Sequence, residues 1–207
     1  METRTLVGFI LSLILASAVP TIGAQSKSVN VRVQTELGDI VIEVDTMRAP
    51  GTAANFLKYV DAGHYDGGTW HRTVKMDNQP ESPVKIEVIQ AGVNAAKAKE
   101  GFPSIPIERT SVTGLLHKDG TISMARSAPD SATSGWFICI NDQPSLDFGG
   151  ARNPDGQGFA AFGRVVSGMD VVRKIQAAPS SATRTTNADA QRLTPPITIL
   201  KVARVGG

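Results

Sequence analysis

Residues 29–45 read VNVRVQTELGDIVIEVD, with apolar side chains at every second position on both sides of ELGD. That alternation is the signature of two half-buried strands joined by a tight turn. A hairpin with one apolar face must bury it against other elements. Further strand candidates are residues 69–74, 84–93, 104–108, 120–126, 136–141, 159–166 and 197–205. Helical spacing is confined to two places. One is APGTAANFLKYVDAGHYDGG, with Pro50 near its start, Ala54, Phe56, Leu57, Val60 and Ala62 on one face, and Gly63 as a stop. The other is MDVVRKIQAA from Met169. Many short strands between Gly, Pro and Asp turns predict a mostly β domain, a closed antiparallel barrel or a sandwich. The polar stretch APSSATRTTNADAQ from Ala178 reads as a loop without chemistry.

The first residues have a different character. Arg4 precedes the apolar run LVGFILSLILASAVP, and Gly23 and Ala24 stand before Gln25. The run is shorter than the ~20 residues that span a bilayer, and Pro20 ends it, so it reads as a secretory signal peptide. The expected organisation is a signal peptide at 1–24, a linker at 25–28 and one domain at 29–207. The mature protein is then exported, periplasmic or secreted, and free of the membrane. Cys139 is the only cysteine, so no disulfide forms within the chain; its apolar neighbours in WFICIN suit a buried thiol. A formal net charge of +2 with no Lys/Arg stripe gives no footprint for nucleic acid. A monomer is expected.

Several chemistries lack their residues. No G-x-S-x-G elbow occurs, and the only histidines are His64, His71 and His117, so a hydrolytic triad is not expected. No H-x-x-x-H or C-x-x-C spacing supports a metal, and DFGGARNPDGQGFAAFG from Asp147 lacks the lysine of a phosphate loop. Turn chemistry accounts for that stretch. No metal and no cofactor are expected. What remains is a reaction that makes and breaks no covalent bond.

Four segments in fixed order point to one: FLKYVDAGHYDGGTWHR, IEVIQAG, TISMARSAPDSATSGWFICIN, and SLDFG followed by GFAAFGRVVSGMDVV. Together they resemble the cyclophilins, peptidyl-prolyl cis/trans isomerases, over residues 29–205, in a bacterial-like, exported form. The resemblance implies a closed eight-stranded antiparallel β-barrel with a helix capping each end. It implies that Arg72 is the catalytic arginine and Gln90 a substrate-binding glutamine. Ala125 and the Arg126 backbone match the peptide-binding strand; Phe137 and Leu146 match walls of the proline pocket, and Val88 and Phe159 also fall on substrate-binding positions. Proline-containing polypeptides are the implied partners, and folding of exported proteins the implied role. Strand alternation puts His71 on the face opposite Arg72, as a core histidine.

An arginine suits this chemistry. Amide resonance sets a barrier of ~18–20 kcal/mol to rotation about the C–N bond. At the twisted transition state the proline nitrogen becomes pyramidal and gains a lone pair, which a guanidinium can meet with a hydrogen bond that the planar amide cannot accept.

The sequence also departs from the family. Arg72 and Gln90 are separated by TVKMDNQPESPVKIEVI, roughly ten residues longer than usual and long enough for a role of its own. As a polar, Pro-containing loop, its residues 76–83 are expected to be dispensable for folding. Val88 replaces a methionine, Gly135 a glutamine and Trp136 a phenylalanine; Ser145 stands where some members have tryptophan, and Phe159 where histidine or tyrosine is common. Glu87 stands at an aromatic position and is a candidate for specificity: it either pairs with Arg72 or faces solvent and attracts Lys or Arg beside proline, the second being favoured by alternation. The competing reading is a proline-peptide-binding chaperone of the same fold with little turnover, favoured if the long segment covers the groove.

Overall fold

A computed structural model describes residues 28–181 and 185–206 together with Met1. The expected signal peptide and most of the linker lie outside the described residues. Eight strands close into one antiparallel barrel: β1 (Ser28–Thr35), β2 (Gly38–Asp45), β3 (Thr69–Val74), β4 (Val88–Gly92), β5 (Thr121–Met124), β6 (Trp136–Cys139), β7 (Ala161–Ser167) and β8 (Arg192–Arg204). Around the barrel they run β1-β2-β7-β5-β6-β4-β3-β8, and β8 returns to β1. The helices are α1 (Pro50–Asp61), two one-turn pieces α2 (Thr110–Thr113) and α4 (Asn187–Ala190), and α3 (Met169–Ala177).

The β1–β2 hairpin has the expected register, with Thr35 opposite Gly38 around Glu36 and Leu37. Its inward residues Val31, Val33, Ile40, Ile42 and Val44 are all solvent-inaccessible. They meet an aromatic centre of Phe56, Tyr65, Trp70, Trp136 and Phe162, in which Phe56 lies edge-on to Trp136 with ring centroids 5.5 Å apart. Pro50 starts α1 at a position where its missing N–H costs nothing. Ala53, Phe56, Leu57 and Val60 of α1 close one side of the core, and Val171, Val172 and Ile175 of α3 another. At Gly163 a Cβ would stand 2.2 Å from the Glu43 carbonyl oxygen, so β7 reaches β2 only because it has none.

Three sequence expectations need correction. Residues 104–108 form no strand; only an isolated bridge joins Ile105 to Ala132, because the run has no continuous partner. The run 84–93 is strand only from Val88 onward, its first part belonging to the preceding loop. The last strand begins at Arg192, five residues earlier than expected, despite two prolines. At the other end, β1 starts at Ser28, within one residue of the expected start of the domain.

Candidate active site

The barrel wall has two apolar faces. Inside is the main core; outside, Val74, Val88, Phe137, Cys139 and Leu146 form a second cluster with Ile86, backed by Ala125 and Phe159. Strand register creates this outer face. Arg72 on β3 lies opposite Gln90 on β4, which lies opposite Phe137 on β6. The next row is Val74, Val88 and Cys139. Members of a row point to the same side of a sheet, so a cation, an amide and an aromatic ring emerge together over an apolar floor. Along β4 the intervening residues Ile89 and Ala91 turn into the core.

A cleft of about 200 Å³ opens over these rows. Its walls include Arg72, Val88, Gln90, Ala125, Arg126, Phe137, Leu146 and Phe159, all the residues that the cyclophilin resemblance assigned to catalysis and substrate binding. A wider hollow of about 670 Å³ lies outside α1, around Leu57, Lys58 and Phe102, but it brings together none of them.

Arg72 is held by amides. Nη1 donates to Gln90 Oε1 at 2.8 Å, and Nε and Nη2 donate to Gln191 Oε1 at 2.8 and 2.5 Å. One N–H on each of Nη1 and Nη2 is left without a partner among the described residues. Burial, followed by the charge of Arg152, lowers the Arg72 pKa. A guanidinium starts so high that it keeps its proton. Gln191 is wholly buried (0% exposed) and its own Nε2 donates to the Asn78 carbonyl at 3.1 Å.

The floor is fixed from beneath. Phe137 meets Phe159 edge-on at 5.4 Å and lies parallel to the His117 ring at 6.1 Å. His117 Nδ1 is 2.7 Å from Asp147 Oδ1, and its Nε2 is 3.0 Å from Ser123 Oγ. A serine, a histidine and a carboxylate thus do lie in hydrogen-bonded sequence. Ser123 is 0% exposed, so no substrate carbonyl reaches its oxygen and the chain acts as a support for the ring above. Arg126 forms a two-pronged pair with Asp155 at 2.7 and 2.9 Å and lies over Phe159. That guanidinium, with the Gln157 N–H, pulls the Asp155 pKa down to about 2. Burial pushes the Cys139 thiol up, as suits an inert side chain.

Two readings of individual residues change. His71 is not in the barrel core: Trp70 pairs with Ala91 and Arg72 with Gln90 of β4, which makes His71 the extra residue of a bulge against that strand, while against β8 the excess residues lie on β8, between Arg192 and Ile197. Its ring lies half-buried near Gly92. The fully enclosed histidines are His64 and His117. Glu87 neither pairs with Arg72 nor stands free in solvent: it is half-buried, and its carboxylate accepts hydrogen bonds from Asn141 at 2.9 Å and from Gln176 of α3 at 3.1 Å. Alternation had put it on the face away from Gln90, and α3 supplies the partner there.

The long segment after β3 is no free loop either. Asn78 and Gln79 are 0% and 2% exposed. Asn78 bonds Thr73 and Ala190, and Gln79 bonds Lys75, Ile86 and Arg152.

Sequence reasoning missed two site residues. Gln191 ends the polar stretch read as chemically silent, 119 positions from Arg72, and no local pattern joins them. Arg152 lies in the glycine-rich turn region and lines the cleft with Ile86 and Asn153.

Comparison with known proteins agrees with this geometry. The family model for cyclophilin type peptidyl-prolyl cis-trans isomerases matches residues 30–204. A peptidyl-prolyl cis-trans isomerase of Acinetobacter baylyi is 39% identical over 152 residues, covering 73% of each chain. Peptidyl-prolyl cis-trans isomerase A of Dickeya dadantii is 34% identical over 176 residues, 84% of this chain and 85% of the relative. In fold, a Cryptosporidium parvum cyclophilin type isomerase superposes with a TM-score of 0.66 at 20% identity, over 87% of this chain and 99% of its own. A second crystal structure of that protein was obtained in the presence of the dipeptide Ala-Pro, with a TM-score of 0.65. With its closed barrel and a family match from Asn30 to Arg204, the chain belongs to the cyclophilin-type peptidyl-prolyl cis-trans isomerases.

Proposed function

We propose that the protein binds proline-containing polypeptides in the cleft beside Arg72 and accelerates rotation of their X-Pro bonds during folding of exported proteins. One observation carries the assignment of residues: a protonated arginine held only by neutral amide oxygens, next to an apolar floor of Val88, Phe137 and Leu146. Because its partners carry no charge, the guanidinium keeps its full positive field and two N–H groups for a substrate. Phe137, Leu146 and Val88 desolvate the ring, Gln90 steadies both Arg72 and the peptide, and the backbone near Ala125 and Arg126 offers an extended segment to align with. As the C–N bond twists, the nitrogen lone pair turns toward Arg72, so the bond strengthens as the barrier is climbed. About 7 kcal/mol of such preference corresponds to an acceleration of ~10⁵.

Export, to a periplasm or out of the cell, is supported by the apolar segment before Gln25, with 1–24 as signal peptide, 25–28 as linker and 29–207 as the isomerase domain. The two relatives described above are bacterial. A single barrel with a buried apolar centre suits a monomer. The chaperone reading is favoured if the segment between β3 and β4 covers the cleft; that segment instead packs against Thr73 and Ala190 and adds Ile86 to one wall. Exchange spectroscopy on an Ala-Pro peptide tests the whole proposal: acceleration of cis/trans exchange that disappears in Arg72→Ala supports it, whereas binding without acceleration reinstates the chaperone.

A further inference from the structure

The cleft carries an uncompensated charge. Arg72, Arg126 and Arg152 line it, and no carboxylate does. Only Arg126 is neutralised, by its paired contact with Asp155. Arg152 uses Nη1 alone, donating to Gln79 Oε1 at 3.0 Å and to the Val84 carbonyl at 2.5 Å. Its Nε and Nη2 have no partner among the described residues. Those two bonds come from the segment between β3 and β4, where Gln79 is buried and itself anchored by both N–H and C=O of Ile86. The guanidinium is therefore clamped on one side, with its remaining N–H groups free for a ligand, on a side chain half out of water. Such an arrangement suits a carboxylate, which can accept two parallel N–H bonds from a guanidinium fork.

We propose that Arg152 forms a second subsite beside the proline pocket that selects substrates carrying Asp or Glu next to the proline. The inference rests on the cleft's being the proline site, as proposed above. It reverses the preference for Lys or Arg expected from Glu87, since that carboxylate is turned away to Asn141 and Gln176 while the cleft itself is cationic. Burial lowers the pKa of Arg152, and the charge of Arg152 in turn lowers that of Arg72. A carboxylate bound between them relieves both, and the selectivity is thus tied to the catalytic group.

The test is the rate of cis/trans exchange in two peptide series, with Glu, Ala or Lys immediately before or immediately after proline. Peptides are compared at about 20 mM and about 500 mM salt, where screening differs strongly. In at least one series the Glu peptide is expected to exceed the Lys peptide by about threefold or more in kcat/KM at low salt, with the gap shrinking at high salt. Arg152→Gln is expected to erase the gap, Arg152→Lys to retain part of it, and Glu87→Gln to leave it in place. Equal rates for Glu and Lys in both series, or a gap unchanged in Arg152→Gln, would overturn the inference. If Arg152→Gln does not fold, Arg152→Lys and the salt dependence of the wild type decide: a gap indifferent to both overturns it. Failure to accelerate even the Ala-Pro peptide would instead count against the cleft as the proline site.

Discussion

At the scale of the residue, Arg72 is the single most exposed assignment. Arg72→Ala is expected to lower kcat/KM by at least about a hundredfold, ~2.7 kcal/mol of transition-state preference, with the melting temperature little changed. Near-wild-type turnover in a folded variant would remove Arg72 from the mechanism. Gln191 is a positioning residue: Gln191→Leu keeps the volume but removes the acceptor of two Arg72 bonds and leaves the Asn78 carbonyl unpaired. It is expected to lower kcat about tenfold with less change in KM, and to cost ~1–3 kcal/mol in stability. A stability loss with kcat intact would make Gln191 purely structural. His71 provides a pH test. Burial first, and the Arg72 charge later, lower its pKa below the ordinary 6.5, against a backbone hydrogen bond that raises it. The unfolded chain therefore takes up the proton first, and the stability contributed by the neutral ring is present above pH 6.5 and is lost as the pH falls below it. Denaturant melts at pH 7.5 and at about pH 5 should differ more for the wild type than for His71→Gln; equal differences would show that the ring takes no part.

Elements decide what a residue can do, and here they explain where the sequence was legible. The hairpin, α1, α3 and β3 follow from alternation, helical spacing and Gly or Pro punctuation, because those signals are local. The eight cleft residues assigned from sequence were legible only through the four segments that resemble cyclophilins; alternation alone would have left Arg72 one of many arginines. The bulge at His71 was not legible, since an extra residue is set by the register with β4 and nothing in TWHRTV announces it. Nor was the interior of the β3–β4 segment, whose polar residues Asn78 and Gln79 read as solvent-facing. They are buried because each replaces a backbone partner: together they bond main-chain groups of Thr73, Lys75, Ile86 and Ala190. The prediction from sequence that residues 76–83 can be removed is accordingly revised. Their deletion is expected to lower both the melting temperature and isomerase turnover, because it frees Gln191 and Arg152 at once. A deletion variant with wild-type kcat/KM would show that Arg72 is oriented without them.

For the whole molecule, closure matters most. β8 is the seam, paired with β1 on one side and β3 on the other, and it follows directly on the segment that delivers Gln191. Ending the chain before Arg192 would leave two long unpaired strand edges and expose the row of Leu193, Ile197, Ile199 and Val202 partners. Such a truncation is expected to lose its cooperative thermal transition and to self-associate, as seen by calorimetry and light scattering; a sharp transition in a monomer would show that an open sheet suffices. The Arg126–Asp155 pair should matter only in strong acid: its contribution is present above the ordinary aspartate value of 3.8 and is lost as the pH falls through about 2. Activity measured between pH 5 and 8 should show no inflection from it.

The cleft stands on the outer surface of the wall, separated from the aromatic centre by a single sheet. A proline in the middle of a long chain can therefore be engaged sideways, with no need for a free end or for threading. Neighbouring positions on one strand answer to different demands: Ile89 and Ala91 to the interior, Val88 and Gln90 to the cleft. Substrate range can drift along one set of alternate positions while the melting point is kept by the other.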